Sequence, residues 1–261
     1  MEKLDILAFG AHPDDVEAGC GGTLIKHVNM GYKVGVVDLT RGEMGSRGTV
    51  ETRDGESKQA SKIIGLTART NLNLPDGFVH NTKENRLKII EQIRLFKPEI
   101  LLVNPFHDRH PDHERSGKLV SEAAFLSGLK MIETQHNGIK QEHWRPKVIY
   151  QYILSRLHVP DFVITLTDAE MEKKLEALCA YETQFCIKDK QVVSLDNFIS
   201  KDTKNSPYQY ERNNLTPLMS SLILGRARDF ASPIEQLTEC KYAEGFLTCR
   251  IAGVNNLFNL L

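Results

Sequence analysis

Through the first two-thirds of the chain, short apolar runs alternate with stretches of helical period, and this ordering restricts the fold more than any other feature. Leu4–Phe9, Lys33–Thr40, Asn71–Leu74, Ile100–Val103, Lys147–Ile153 and Phe162–Leu166 read as strands. Ile100–Val103 (ILLV) is apolar at every position, as a strand covered on both faces should be. Helical patterns lie between them. They are a Gly-rich stretch ending at Gly31, Thr49–Ile64 closed by Gly65, Lys83–Phe96 stopped by Pro98, Asp112–Leu129, and Asp168–Tyr181 with Asp168 as its expected N-cap. Such alternation predicts an α/β fold, a Rossmann-like, doubly wound, mostly parallel sheet with helices on both faces. Residues 1–261 are read as one such domain. Within it, residues 185–214 are polar and aperiodic, so a long loop or lid is expected there. From Leu215 a helical pattern resumes and runs to the YAEGF segment, Tyr242–Phe246.

Composition excludes several classes of partner. The 33 Lys+Arg balance 34 Asp+Glu to a formal net charge of −1, and no Lys/Arg-rich run is present. There is no field to hold nucleic acid or an anionic bilayer, so neither is expected as a partner. No run approaches the ~18 apolar residues of a membrane span. The five Cys are odd in number, widely spaced and free of any C-x-x-C pair. That argues against a disulfide framework and for a reducing compartment. The start, MEKLDILAFGAHPDD, reaches an acidic pair after one short apolar run, unlike a secretory signal. A soluble cytoplasmic protein is expected, and the nine His are what composition leaves to follow.

The first strand ends in Gly10-Ala11-His12-Pro13-Asp14-Asp15. A dinucleotide site would place glycines here as G-x-G-x-x-G, so that a pyrophosphate approaches bare backbone. This chain keeps Gly10 but puts His12 and Asp15 at the other two positions. A nucleotide cofactor is therefore disfavoured, and two metal-capable side chains sit three residues apart at a strand-to-helix turn. Taken alone, the loop fits equally well a zinc site or a sheet end with Asp14 or Asp15 capping the next helix.

The fourth strand is followed by Pro105-Phe106-His107-Asp108-Arg109-His110-Pro111-Asp112-His113. In a doubly wound sheet, strands one and four are neighbours at the topological switch point, and their carboxyl ends border the ligand crevice. The two His-Pro-Asp loops should therefore meet in space. A catalytic zinc takes three protein ligands and keeps one open position. His12, Asp15 and His113 fill that count, leaving Asp14 as a free carboxylate suited to accept a proton from water. His110, with Asp112 two residues on, is expected to form an orienting Asp–His dyad with a charged imidazole; helix-start caps are the plainer role for both. His107 is close enough to support the site from outside. His27, His80, His136, His143 and His158 are isolated and read as ordinary surface or half-buried histidines.

Together these residues resemble the PIG-L / LmbE-like family of zinc-dependent N-acetylglucosamine deacetylases. The matching pieces are AHPDD (Ala11–Asp15), TRGEMGSRG (Thr40–Gly48), Arg53, HPDH (His110–His113), YETQF (Tyr181–Phe185) and YAEGF. Within the family the likeness is greatest to the bacillithiol-pathway deacetylases, which remove acetate from N-acetylglucosaminyl malate. The resemblance implies that His12, Asp15 and His113 bind zinc, that Asp14 is the general base, and that His110, held by Asp112, steadies the tetrahedral intermediate. Ferrous iron suits the same two-His, one-Asp donor set. Arg53 is expected either to hold sugar hydroxyls or to form an exposed salt bridge among Glu51, Asp54 and Glu56. Arg145 is a candidate partner for a substrate carboxylate. Some relatives use a loop tyrosine as an extra oxyanion donor, and Tyr208 and Tyr210 lie in the long polar segment. The partner implied is a small-molecule sugar conjugate, and assembly into a homo-oligomer is compatible with the family. The rival reading is a non-catalytic sugar- or metabolite-binding protein whose His/Asp cluster holds a structural ion.

Overall fold

The computed structural model describes residues 2–156, 158–185 and 223–248. Nearly all of the expected lid, and with it Tyr208 and Tyr210, lies outside the described residues.

The strands are β1 (Ile6–Gly10), β2 (Val34–Thr40), β3 (Ala68–Leu74), β4 (Ile100–Val103), a two-residue hairpin pair β5 (Gln135–His136) and β6 (Ile139–Lys140), β7 (Val148–Tyr152), β8 (Phe162–Leu166) and β9 (Tyr242–Thr248). The main helices are α1 (Asp15–Asn29), α2 (Val50–Ile64), α3 (Lys83–Phe96), α4 (Pro111–Ser127), α5 (Asp168–Cys179) and α6 (Arg226–Ala231). Seven strands form one sheet in the order β3-β2-β1-β4-β7-β9-β8. The pairs β1–β2, β2–β3, β1–β4 and β4–β7 are parallel, and only β9 runs against its neighbours. This is the mostly parallel α/β sheet that the alternation predicts.

Every residue of β1 is buried, and its alternate side chains serve two cores. Ile6 and Ala8, with Val34 and Val36, pack on Val16, Leu24 and Ile25 of α1. Leu7 and Phe9, with Val37 and Leu39, pack on Ile90 and Ile93 of α3 and Leu119 and Val120 of α4. Each such fully buried side chain contributes about 1.5–3 kcal/mol, and helices are needed on both faces to collect it.

Two sequence expectations fail locally. Asp168 is not the cap of α5. Thr167 is, with its hydroxyl accepting from Glu170 N–H and the Glu170 side chain reaching back to Thr167 N–H in a capping box. The YAEGF segment does not close a helix but forms β9, antiparallel between β7 and β8. Its pattern has period two: Tyr242, Glu244 and Phe246 face the α1/α5 side, whereas Ala243 and Gly245 meet Phe230 of α6. Small residues on one face hid that alternation.

Helix α1 is broken at Cys20 (φ −145°, ψ 18°). The break leaves the Gly22 and Thr23 amides without carbonyls one turn back, and both donate to the Glu244 carboxylate at 3.0 and 2.7 Å. Lys174 of α5 donates to the Ala18 carbonyl at 2.8 Å and to Glu244 at 2.6 Å. A buried ion pair thus satisfies the backbone of a helix that could not be continuous.

Candidate active site

Strands β1 and β4 lie side by side, with Ala8 paired to Leu102, so the loops after them leave the sheet together. Asn104 fastens the loops: its side chain accepts the Ala11 amide at 2.8 Å and donates to Asp15 Oδ2 at 3.0 Å. Asp14, just ahead of α1, has φ 123° and ψ −23°. That conformation is strained for a residue with a Cβ, by on the order of 1–3 kcal/mol. In the second loop Pro111 occupies the first turn of α4, and His110 is its N-cap.

The side chains converge on one cavity of about 350 Å³, lined by His12, Asp14, Asp15, Arg53, Asp76, His110 and His113 among others. Asp15 sits between two imidazoles: Oδ1 is 3.3 Å from His113 Nε2 and Oδ2 is 3.6 Å from His12 Nδ1. On its other side, His12 Nε2 is 3.0 Å from Asp76 Oδ1 and 3.7 Å from Asp112 Oδ2. His113 Nδ1 faces Asp108 Oδ1 at 3.4 Å. The His110 ring centroid lies 4.8 Å from those of both His12 and His113.

Electrostatics separates the two adjacent carboxylates. Burial raises Asp14 to about 7, even though the Arg53 guanidinium pulls it down. Burial acts on Asp15 in the same direction, but His113 and His12 outweigh it and hold this carboxyl well below the usual range. Burial opposes charge on His113 and His12 as well; Asp15 and Asp108 nevertheless lift His113 to about 9, and Asp112, Asp15 and Asp76 raise His12. His110 moves the other way, lowered by burial and by the two neighbouring rings. At neutral pH Asp14 is thus near its midpoint, beside a carboxylate that stays ionised.

The model of the PIG-L family, described as GlcNAc-PI de-N-acetylase, matches residues 7–124, which hold both loops. The diacetylchitobiose deacetylase of Thermococcus kodakarensis is 31% identical over 192 residues, covering 69% of this chain and 70% of that protein. The chain belongs to the PIG-L family. A protein described as "probable N-acetyl-alpha-D-glucosaminyl L-malate deacetylase 2" of Bacillus anthracis is 27% identical over 200 residues, 70% of this chain and 82% of that one. Among solved structures, the conserved protein TT1542 of Thermus thermophilus superposes with a TM-score of 0.74 at 30% identity, over 97% of this chain and 98% of that one.

A metal ion is expected in a PIG-L site, and the donor set fits one. Five carboxylates (Asp14, Asp15, Asp76, Asp108 and Asp112) surround three imidazoles, against Arg53 on Asp14, Arg115 at 3.7 Å from Asp112 and Arg226 near Asp108. Such an excess of buried negative charge requires cations, whether protons on the rings or a divalent ion. Two groups of potential ligands have their donor atoms within 4.8 Å of one another: His12, His110 and His113, and His12, Asp76 and Asp112. The Asp15 separations of 3.3 and 3.6 Å are also close to the roughly 3.3 Å between adjacent donors around a tetrahedral ion with ~2.0–2.1 Å bonds.

Three expectations from the sequence need correction. The His110–Asp112 dyad does not form through the carboxylate. As N-cap, His110 Nδ1 instead accepts the Asp112 amide at 3.2 Å, and no ion pair joins the two side chains. Asp112 accepts from Gly77 and Val79 amides and lies beside His12. With Nδ1 accepting, His110 carries its hydrogen on Nε2, and its lowered pKa makes it a neutral donor rather than a charged one. Arg53 forms no exposed salt bridge on α2: it is 5% exposed and donates to Asp14 Oδ2 at 3.2 Å and to the Pro13 carbonyl, with the Tyr181 ring 5.5 Å away. Arg145 is absent from this cavity. It precedes β7 and so lies at the opposite end of the strands, donating to the Phe125 carbonyl at 3.0 Å and stacking on the Phe125 ring. Of the other histidines, His107 is largely exposed; its ring comes within 3.9 Å of Glu114, and its carbonyl lies 2.8 Å from His158 Nε2.

Sequence reasoning missed Asp76, Asp108 and Asn104 as site residues. The available signal was position: each follows a strand at its carboxyl end, Asp76 in the Pro75-Asp76-Gly77 turn after β3 and the others after β4.

Proposed function

We propose that the chain is a metal-dependent N-deacetylase that hydrolyses the acetamide of an N-acetylglucosaminyl conjugate, with the malate conjugate of bacillithiol biosynthesis as its preferred substrate. The observation that carries this reading is Asp14: a partly buried carboxylate on the cavity wall with a pKa of about 7, held by Arg53, beside the convergence of His12, Asp15 and His113. A structural ion in a binding protein has no use for such a group.

His12, Asp15 and His113 are the residues that would hold the ion, zinc or ferrous iron, which would polarise the amide carbonyl and lower the pKa of bound water toward ~7. Asp14 accepts the proton of the attacking water, and Arg53 fixes the direction of its carboxylate. The neutral His110 donates its Nε2–H to the oxyanion of the tetrahedral intermediate, a role that needs a hydrogen bond and not a charge. Protonated Asp14 returns the proton to the leaving amine, which completes the hydrolysis to acetate and free glucosaminyl amine. Arg109 lines the cavity and is the guanidinium available to a malate carboxylate, a place expected from sequence for Arg145.

Acetate release from N-acetylglucosaminyl malate, diacetylchitobiose and free N-acetylglucosamine, with metal analysis of the same protein, tests the reading. The malate conjugate should show the highest kcat/KM by at least tenfold. Preference for the chitobiose would retain the deacetylase and discard the malate assignment. Stoichiometric metal without turnover on any of them would leave a binding protein.

A further inference from the structure

His12 presents its two ring nitrogens to different partners. Nδ1 faces Asp15 Oδ2 at 3.6 Å, whereas Nε2 is 3.0 Å from Asp76 Oδ1. A carboxylate at 3.0 Å holds a hydrogen on Nε2, so that in the neutral ring the Nδ1 lone pair faces the side occupied by Asp15. Asp76 is itself held from two sides. Its Oδ2 accepts the Met44 amide at 2.8 Å, and its own amide donates to Glu43 Oε1 at 2.8 Å. Asp76 is 7% exposed, and both Met44 and Gly45 of the same loop wall the cavity. Asp112 also lies 3.7 Å from Nε2, but its oxygens accept the Gly77 and Val79 amides.

We propose that Asp76 is a positioning residue: it fixes the tautomer and ring plane of His12, and so sets the affinity of the cavity for a divalent cation, which rests on the metal-dependent reading above. Carboxylates on the outer nitrogen of a metal-binding imidazole raise its basicity and hold its orientation, and their loss costs about 10–100-fold in metal affinity. Asp76 is also the point at which the 42–48 loop, one wall of the cavity, is tied to that imidazole.

The test is Zn2+ affinity of the full chain, measured by competition with a chromophoric chelator, for wild type, Asp76→Ala, Asp76→Asn and Glu43→Ala. Asp76→Ala should bind Zn2+ about 10–100-fold more weakly, and Asp76→Asn less weakly, since the amide oxygen still accepts from Nε2–H. Glu43→Ala loosens the loop but leaves the carboxylate on His12, so its affinity should stay within about twofold of wild type. The visible absorption of the Co2+-loaded Asp76→Ala protein should shift, because the His12 ring is no longer held. Thermal melts of the metal-free variants establish folding, and Asp76→Asn carries the test if Asp76→Ala does not fold. Unchanged Zn2+ affinity in both Asp76 variants would overturn the role. So would an equal loss in Glu43→Ala, which would make Asp76 loop scaffolding, or a loss well beyond about a thousandfold, which would make it a ligand. Wild-type protein that takes up no divalent cation would instead remove the metal-dependent reading itself.

Discussion

Asp14 and Asp15 are adjacent in sequence and opposite in state. Asp15 has two imidazoles against it and stays ionised, whereas Asp14, facing one guanidinium from the cavity wall, is pushed up to about 7 by its partial burial. Replacing Asp14 with Asn keeps the shape but removes the basic oxygen. Turnover should fall by a factor on the order of a hundred or more while metal content is retained. Full activity in that variant would assign the base elsewhere. The raised histidines make a second prediction at this scale. In the metal-free protein His113 keeps its proton up to about 9, and His12 is raised as well, so an incoming cation must displace protons. Because the protonated form dominates below the raised pKa, apparent Zn2+ affinity should fall as pH falls from about 9 to about 6. One displaced proton gives about tenfold per pH unit, and two give about a hundredfold. Competition titrations at several pH values read the slope directly; a flat profile would mean that the rings are neutral. The sequence displayed the identity of every one of these residues. It could not show that the His110 ring takes the Asp112 amide while the Asp112 carboxylate takes the Gly77 and Val79 amides, because those partners are set by the packing of the two loops.

At the scale of elements, α1 shows how a local irregularity is held by residues far away in the chain. Gly19 and Gly22 are there because a Cβ would come within 2.2 Å of Tyr152 and 2.4 Å of Leu166, respectively. The helix that carries them breaks at Cys20, and its freed backbone groups are met by Lys174 and Glu244. Both side chains are about 3% exposed. Lys174→Met strands a buried carboxylate and should destabilise the fold by about 3–5 kcal/mol in denaturant unfolding. Adding Glu244→Gln removes the stranded charge, so the double variant should recover part of that loss; an additive double loss would show that the pair is not coupled. The Gly-rich stretch and the YAEGF motif are both plain in the sequence, yet nothing in either says that one caps the other. Likewise Thr167, and not Asp168, caps α5: the two are neighbours of similar capping ability, and the path of the chain out of β8 decides between them.

For the whole molecule, the site joins segments from the first and second quarters of the chain through a single pair of strands. A cation bound only by the folded state stabilises it by mass action, worth about 2.7 kcal/mol at a concentration a hundredfold over the Kd. Exhaustive chelation should therefore lower the melting temperature by several degrees, and Zn2+ should restore it. The same Tm with and without chelator would argue that no ion contributes to the fold. The order of apolar runs and helical periods was enough to determine a mostly parallel α/β sheet with its site at the β1 and β4 ends, because period and length report directly on which faces are buried. The two His-Pro-Asp loops were legible for the same reason, as chemistry placed at strand ends. Only the tertiary structure decided what surrounds them. Arg53 was drawn in from α2 to hold Asp14, Asp76 and Asp108 were brought against the imidazoles, and Arg145 was left at the far end of the strands. A sequence lists charges, but their pKa values and partners depend on distances between segments, and those distances exist only once the sheet has formed.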